Sequence, residues 1–274
     1  MSNAGRIESL LRLLDDDNEQ IGRTAITELL KLGPALDAHL AELQECDNPN
    51  VRRRIHQLQA IQLLRRRRRM FAALLKNRNI NLLEGLIEVH LQWYDNDSAP
   101  ALVDLWQNFS GAAEKFDLYN LEQVAYFMRK CSFTLPPDNE VPSPDYYCLG
   151  PVLDDRIGAD ILLCAVALEL ALECNLELCI VRLYGNFALI DRRGRILSPK
   201  NGWQVLAPTD PANCEFWDDP RKVLKFLASM LFLYAVSSDS FRYIHTVGHA
   251  LCGMADDELL EFLPYPYGAQ PEES

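Results

Sequence analysis

The run ILLCAVALELALEC, residues Ile161 to Cys174, decides the fold. Only Glu169 and Glu173 interrupt it before Cys174. A helix apolar on most sides has to be enclosed by other elements, so this run reads as a central helix. The two glutamates are four residues apart and share one stripe, which is expected to be the outer one. A membrane span is not implied. Extended to Val181, the stretch still carries Glu169, Glu173 and Glu177, and never reaches about 18 uninterrupted apolar residues.

Downstream the period changes. Leu178 to Arg182, Phe187 to Asp191, Arg195 to Leu197 and Trp203 to Leu206 are short and β-prone. Tyr184-Gly185-Asn186, Arg193-Gly194 and Asn201-Gly202 separate them, which predicts an antiparallel meander beside the helix. Pro208, Pro211 and Pro220 mark a loop. Val223 to Val236 and Phe241 to Met254 then read as a helical hairpin, and residues 264–274 as a polar tail. Upstream, Asn81 to Ile87, Ala101 to Phe109 and Leu118 to Phe127 are helical, and the prolines of 135–147 a loop.

The first 78 residues differ in charge. They carry 14 basic and 10 acidic side chains, against 13 and 29 in the remainder, within a chain of net charge -12. A faint repeat runs through them. Asp17-Asn18-Glu19-Gln20-Ile21 with Arg23 matches Asp47-Asn48-Pro49-Asn50-Val51 with Arg53. Each Asp-Asn pair supplies a helix N-cap, and the helices around them resemble HEAT-type repeats. A long helix from about Pro49 to Lys76 contains Arg65-Arg66-Arg67-Arg68-Arg69. Five consecutive residues go round a whole helix, so the run is expected as a solvated face paired with acidic groups. Nucleic-acid contact through Arg65–Arg69 is the competing reading. No stacking aromatics are interleaved, and the chain as a whole is acidic, so nucleic acid is not expected.

Hydrophobic residues at 49% and charged residues at 24% are an ordinary globular balance, which excludes disordered and collagen-like classes. Ser2-Asn3-Ala4 reads as a cloning remnant. With no secretory signal apparent and no C-x-x-C pair among the eight cysteines, reduced thiols and a cytoplasmic location are expected. His245 and His249 are four apart with Cys252 three further on. A zinc site is conceivable there, but Gly248 and Gly253 weaken the helix, and no metal is expected. No phosphate-binding glycine loop or Ser-His-Asp arrangement stands out, so no cofactor is expected either.

One run carries a family likeness. Val152-Leu153-Asp154-Asp155-Arg156-Ile157-Gly158 precedes the apolar helix. A Cys174-Asn175-Leu176 turn, a strand, Tyr184-Gly185-Asn186-Phe187-Ala188-Leu189 and a strand ending Leu197-Ser198-Pro199 follow. The order and spacing resemble the transglutaminase-like superfamily. More narrowly they are similar to a bacterial branch of transglutaminase-like or invasion-regulator-like proteins, which place helices before this core and often a tetratricopeptide-like pair after it. The resemblance covers roughly residues 80–254. With the HEAT-like helical region read from the repeat over 1–78, it implies an α+β fold, mostly α, with a transglutaminase-like core over 79–220 and a helical hairpin and tail over 221–274.

In active relatives a Cys at the start of the central helix is the nucleophile. A His on the next strand is its base, and an Asp on the strand after that orients the His. Carried over, these positions fall on Asp160, Asn186 and Ser198. None is the catalytic type: Asp160 is no thiol, Asn186 takes no proton at neutral pH, and Ser198 cannot stabilise an imidazolium as Asp does. No Cys lies between Cys148 and Cys164, and no His between His90 and His245, so a small shift in register does not restore the triad. Cys164, one turn into the helix, is flanked by apolar residues that raise a thiol pKa. The expectation is a non-catalytic binding or scaffolding module, with Asp160, Asn186, Ser198 and nearby Arg156 in a degenerate groove, and a protein partner rather than a membrane. The rival reading is a cysteine-dependent hydrolase or acyltransferase using Cys164.

Overall fold

The computed structural model describes residues 3–16, 18–36, 40, 46–77, 79–116, 118–141, 143–238, 240, 243, 244, 247, 248 and 251. The chain divides into two compact units, Met1–Arg67 and Arg68–Ser274.

In the first unit, α1 (Asn3–Arg12) and α2 (Glu19–Leu30) precede the long α3 (Pro49–Lys76), which continues past the division between the units. The asparagine of each Asp-Asn pair does the capping. Asn18 Oδ1 accepts the Gln20 N–H at 3.0 Å, and Asn48 Oδ1 accepts the Asn50 N–H at 3.0 Å. Ile7, Leu14, Ala25, Leu29, Ile55 and Leu58 bury their side chains together. A buried Arg54 closes this core, its Nη1 donating to the carbonyls of Leu14 and Asp16, each at 2.8 Å.

In the second unit, α4 (Leu82–Trp93), α5 (Ala99–Ala113), α6 (Leu121–Lys130) and α7 (Leu149–Asp155) lead to α8 (Asp160–Glu173). Asn81 and Asn120 cap α4 and α6 by accepting the N–H of the third residue of each helix, Glu84 and Gln123. Residues Ile161 to Ala167 of α8 are all buried, as an apolar run with no polar face requires. The glutamate expectation needs correction. Glu169 is buried and only Glu173 is exposed. In a helix wrapped on nearly all sides, the polar positions no longer mark a solvent face.

The sheet is antiparallel, in the order β4-β3-β2-β1-β5. Its strands are β1 (Leu178–Leu183), β2 (Asn186–Asp191), β3 (Ile196–Ser198), β4 (Gln204–Leu206) and β5 (Glu215–Phe216). The turns at Gly185, Gly194 and Gly202 take positive φ, which glycine adopts without strain. Successive residues face opposite sides. Ile180, Phe187, Leu189 and Leu197 join the core shared with α8, while Val181, Ala188, Ile190 and Ile196 form a small cluster of their own. The strand β5 lies where the sequence predicts loop, returning to pair Val181 with Phe216 beside β1.

The C-terminal α9 (Pro220–Ser237) packs on α4 and α8 within the same core. It is capped by Asp219, whose carboxylate accepts the Arg221 N–H at 2.9 Å. Of the hairpin's predicted second limb, Tyr243, Ile244, Val247, Gly248 and Leu251 are described, and Tyr243 stacks on Trp93 at 4.3 Å. The tail at 264–274 lies outside the described residues. No helix among the described residues is long and apolar enough to cross a membrane. The described residues therefore form a mostly helical α+β protein with one small antiparallel sheet.

Candidate functional site

The start of α8 is fixed from three sides. Thr134 N–H donates to Arg156 O at 2.9 Å, Gly158 N–H donates to Thr134 O at 3.2 Å, and Ala159 N–H donates to Tyr146 O at 2.9 Å. These bonds deliver Asp160 into the first turn of α8, where a carboxylate suits the unpaired N–H groups. Asp160 Oδ1 accepts the Ile161 N–H at 2.8 Å, and Oδ2 accepts the Phe187 N–H at 2.8 Å. The carboxylate thus ties the helix start to β2.

Asn186, the residue before Phe187, accepts Lys200 Nζ at 2.9 Å and donates to Tyr184 O at 3.0 Å. Ser198 ends β3 as a buried residue, and its carbonyl accepts the Trp203 N–H at 3.0 Å. Its chain leads through Pro199 to Lys200, in the short turn that packs against α8. The fold therefore brings the surroundings of Asp160, Asn186 and Ser198 to one place. Arg156 goes elsewhere. It takes a left-handed φ of 63° and lays its guanidinium over Phe133 at 4.9 Å and Phe109 at 5.4 Å.

Burial raises the Asp160 pKa. The Phe187 and Ile161 N–H groups, with the positive charges of Arg182 and Lys200, act against that rise. Tyr147, which hydrogen-bonds with Tyr234, is pushed up to about 12, chiefly by burial and then by the neighbouring Tyr234 phenol and the Asp160 carboxylate. The Cys164 thiol is fully buried, and burial, reinforced by Asp160, pushes its pKa well above the usual value. Such a thiol stays protonated and shielded. Sequence reasoning did not find Lys200, Arg182 or Tyr147. Each is a common surface or loop residue type whose relation to Asp160 exists only through the fold.

Every cysteine among the described residues is a free thiol. His245, His249 and Cys252 lie outside the described residues. Among the described residues no group of three His, Cys, Asp or Glu side chains converges to hold a metal. No family model, curated protein or solved structure matches the chain.

Proposed function

We propose that the protein is a non-catalytic, transglutaminase-like module that binds or scaffolds a protein partner through the polar cluster at the start of α8. The observation that carries this reading is the use of Asp160. The position that would hold a nucleophilic thiol carries a carboxylate already committed to two backbone N–H groups. The nearest thiol along the helix, Cys164, is buried and held protonated. Lys200 and Arg182 give the cluster a positive rim that suits an acidic partner segment.

The test restores what the reading says was lost. The triple variant Asp160→Cys, Asn186→His, Ser198→Asp should gain a thiol that iodoacetamide alkylates at neutral pH at least about tenfold faster than in Asp160→Cys alone, since an adjacent imidazole lowers a thiol pKa. The wild-type chain should label Cys164 slowly. Equal rates in the triple and single variants, each shown folded by circular dichroism, would overturn the transglutaminase-like geometry. Rapid labelling of wild-type Cys164 with loss of an amide-hydrolysing activity would return the chain to the enzymes.

A further inference from the structure

A cavity of about 400 Å³ lies beside the C-terminal half of α8, between that helix, β1 and the segment 217–223. It is within the size range of small-molecule sites, about 300–1,000 Å³. Its walls are mostly apolar, with Leu82, Leu168, Ile180 and Val223 among them, and Trp217 adds an aromatic surface. Phe187 and Phe226 hold that indole edge-on at 4.8 and 5.7 Å.

Few polar groups line the cavity, and most are already committed. Asn81 Oδ1 accepts the Glu84 N–H at 3.0 Å, and Cys179 Sγ donates to the Ile180 carbonyl at 3.3 Å. Asp218 is exposed. Glu169 remains. It is 7% exposed, and its carboxyl has no hydrogen-bond or ion-pair partner among the described residues. A carboxylate largely withdrawn from water and without a partner is costly, and the Trp217 indole N–H, fully buried, lacks an acceptor. Among the described residues neither Lys, Arg nor His lines the cavity, so an anion would find no counter-charge from them. A hard metal ion needs six or more oxygen ligands, and the lining offers too few.

We propose that this cavity binds a small organic ammonium ion with an apolar body, its cationic nitrogen donating to the Glu169 carboxylate. The apolar walls take the body and the Trp217 ring supports the cation. Desolvation leaves the Glu169 carboxyl half-protonated near neutral pH when the cavity holds no cation, with Glu173 one turn away adding to the effect. An ammonium ion entering the cavity replaces that proton as the counter-charge. Among the described residues the other titratable groups lining the cavity are Asp218 and Cys179. Burial and the Asp218 charge both raise the Cys179 thiol, which stays neutral. This inference is independent of the reading of the Asp160 cluster.

The full chain is titrated with 2-phenylethylamine, with neutral 2-phenylethanol and with phenylacetate, by calorimetry at about pH 8, where the amine is charged and Glu169 ionised. The amine should bind at least about tenfold more tightly than the alcohol, with phenylacetate weakest. In Glu169→Gln the amine should lose that advantage while the alcohol is unchanged. Near pH 6.5 the wild-type complex should release a fraction of a proton, read from two buffers of different ionisation enthalpy, and this holds whether or not the variant folds. Equal affinity for amine and alcohol in the wild type, an advantage that survives Glu169→Gln, or amine binding without proton release near pH 6.5 would each overturn the proposal.

Discussion

The carboxylate of Asp160 accepts backbone N–H groups from Ile161 and from Phe187, 27 residues further along the chain, each at 2.8 Å. One side chain therefore sets both the first turn of α8 and the height of β2 against it. Replacing it with alanine leaves the Phe187 N–H without its acceptor. An unsatisfied buried group costs about 1–3 kcal/mol, and Asp160→Ala should destabilise the chain by that order in urea unfolding. Asp160→Asn keeps one acceptor oxygen and should cost less than half as much. A loss of the same size in both variants would mean that charge, not acceptor geometry, is what matters.

Glu169 and His90 bend the pH profile in opposite directions. The Glu169 carboxyl titrates at about 7 in the folded chain against an ordinary 4.5, mainly through burial. The folded state holds that proton more tightly, so stability declines as pH rises from about 4.5 through 7, by up to about 3 kcal/mol. Glu169→Gln should abolish the decline and stabilise the chain at alkaline pH. Guanidinium midpoints at several pH values, for wild type and variant, check both.

His90 acts at the acid end. Its Nδ1 accepts the Gly150 N–H at 3.3 Å, so Nε2 carries the hydrogen donated to Asp97 at 2.9 Å. Burial lowers its pKa, against the opposing pull of Asp97. The unfolded chain therefore binds that proton more readily, and stability should fall as pH drops below about 6.5. In His90→Gln this acid-side loss should be smaller, and an unchanged slope between pH 7 and 5 would assign it to other groups.

Two glycines on exposed and enclosed helices should respond with opposite signs. A Cβ at Gly85 would lie 2.2 Å from Leu224 Cδ1, and Leu224 is itself fully buried. Gly85→Ala should cost about 1–3 kcal/mol through overpacking. At Gly111 in α5 a Cβ meets nothing within 4 Å, so Gly111→Ala should raise stability by about 0.5–1 kcal/mol. Thermal melts of the two single variants give the comparison.

In the first unit, Arg54 bridges two carbonyls from within the core. Arg54→Met keeps most of the apolar stem and removes both donors. It should lower the protection of amide hydrogens in 3–36 by about tenfold or more, the equivalent of one lost charged hydrogen bond at about 1.5–3 kcal/mol. Protection unchanged in hydrogen exchange would show that those carbonyls do not depend on the guanidinium.

Much of this architecture was legible because the local signals agree. The asparagine caps at 18 and 48, the apolar run at 161–174 and the glycine turns at 185, 194 and 202 each mark an element that formed. The strand β5 was not legible, since two residues between prolines carry no period. Helix α7 hides behind Pro151 in its first turn. The burial of Glu169 escaped for a deeper reason: in a helix enclosed nearly all round, sequence spacing gives the stripe but not which neighbour covers it. At the Asp160 cluster the sequence singled out Asp160, Asn186 and Ser198 through the resemblance alone. Lys200, Arg182 and Tyr147 could not be placed, because no spacing rule links them to Asp160.

The sheet ends in two stubs. β4 has three residues and β5 has two, at opposite edges of the five-stranded order. An incoming extended segment would find only three residues to pair with on the β4 rim, too few to template a long ladder. The longest strands, β1 and β2, pair with each other over six residues, while β5 covers β1 only at Val181 and Arg182 and β3 covers β2 only at Leu189 and Ile190. Edge addition is therefore limited at the β4 rim by its three residues, and at the other rim it is the part of β1 beyond Val181 and Arg182 that a further strand would have to pair with.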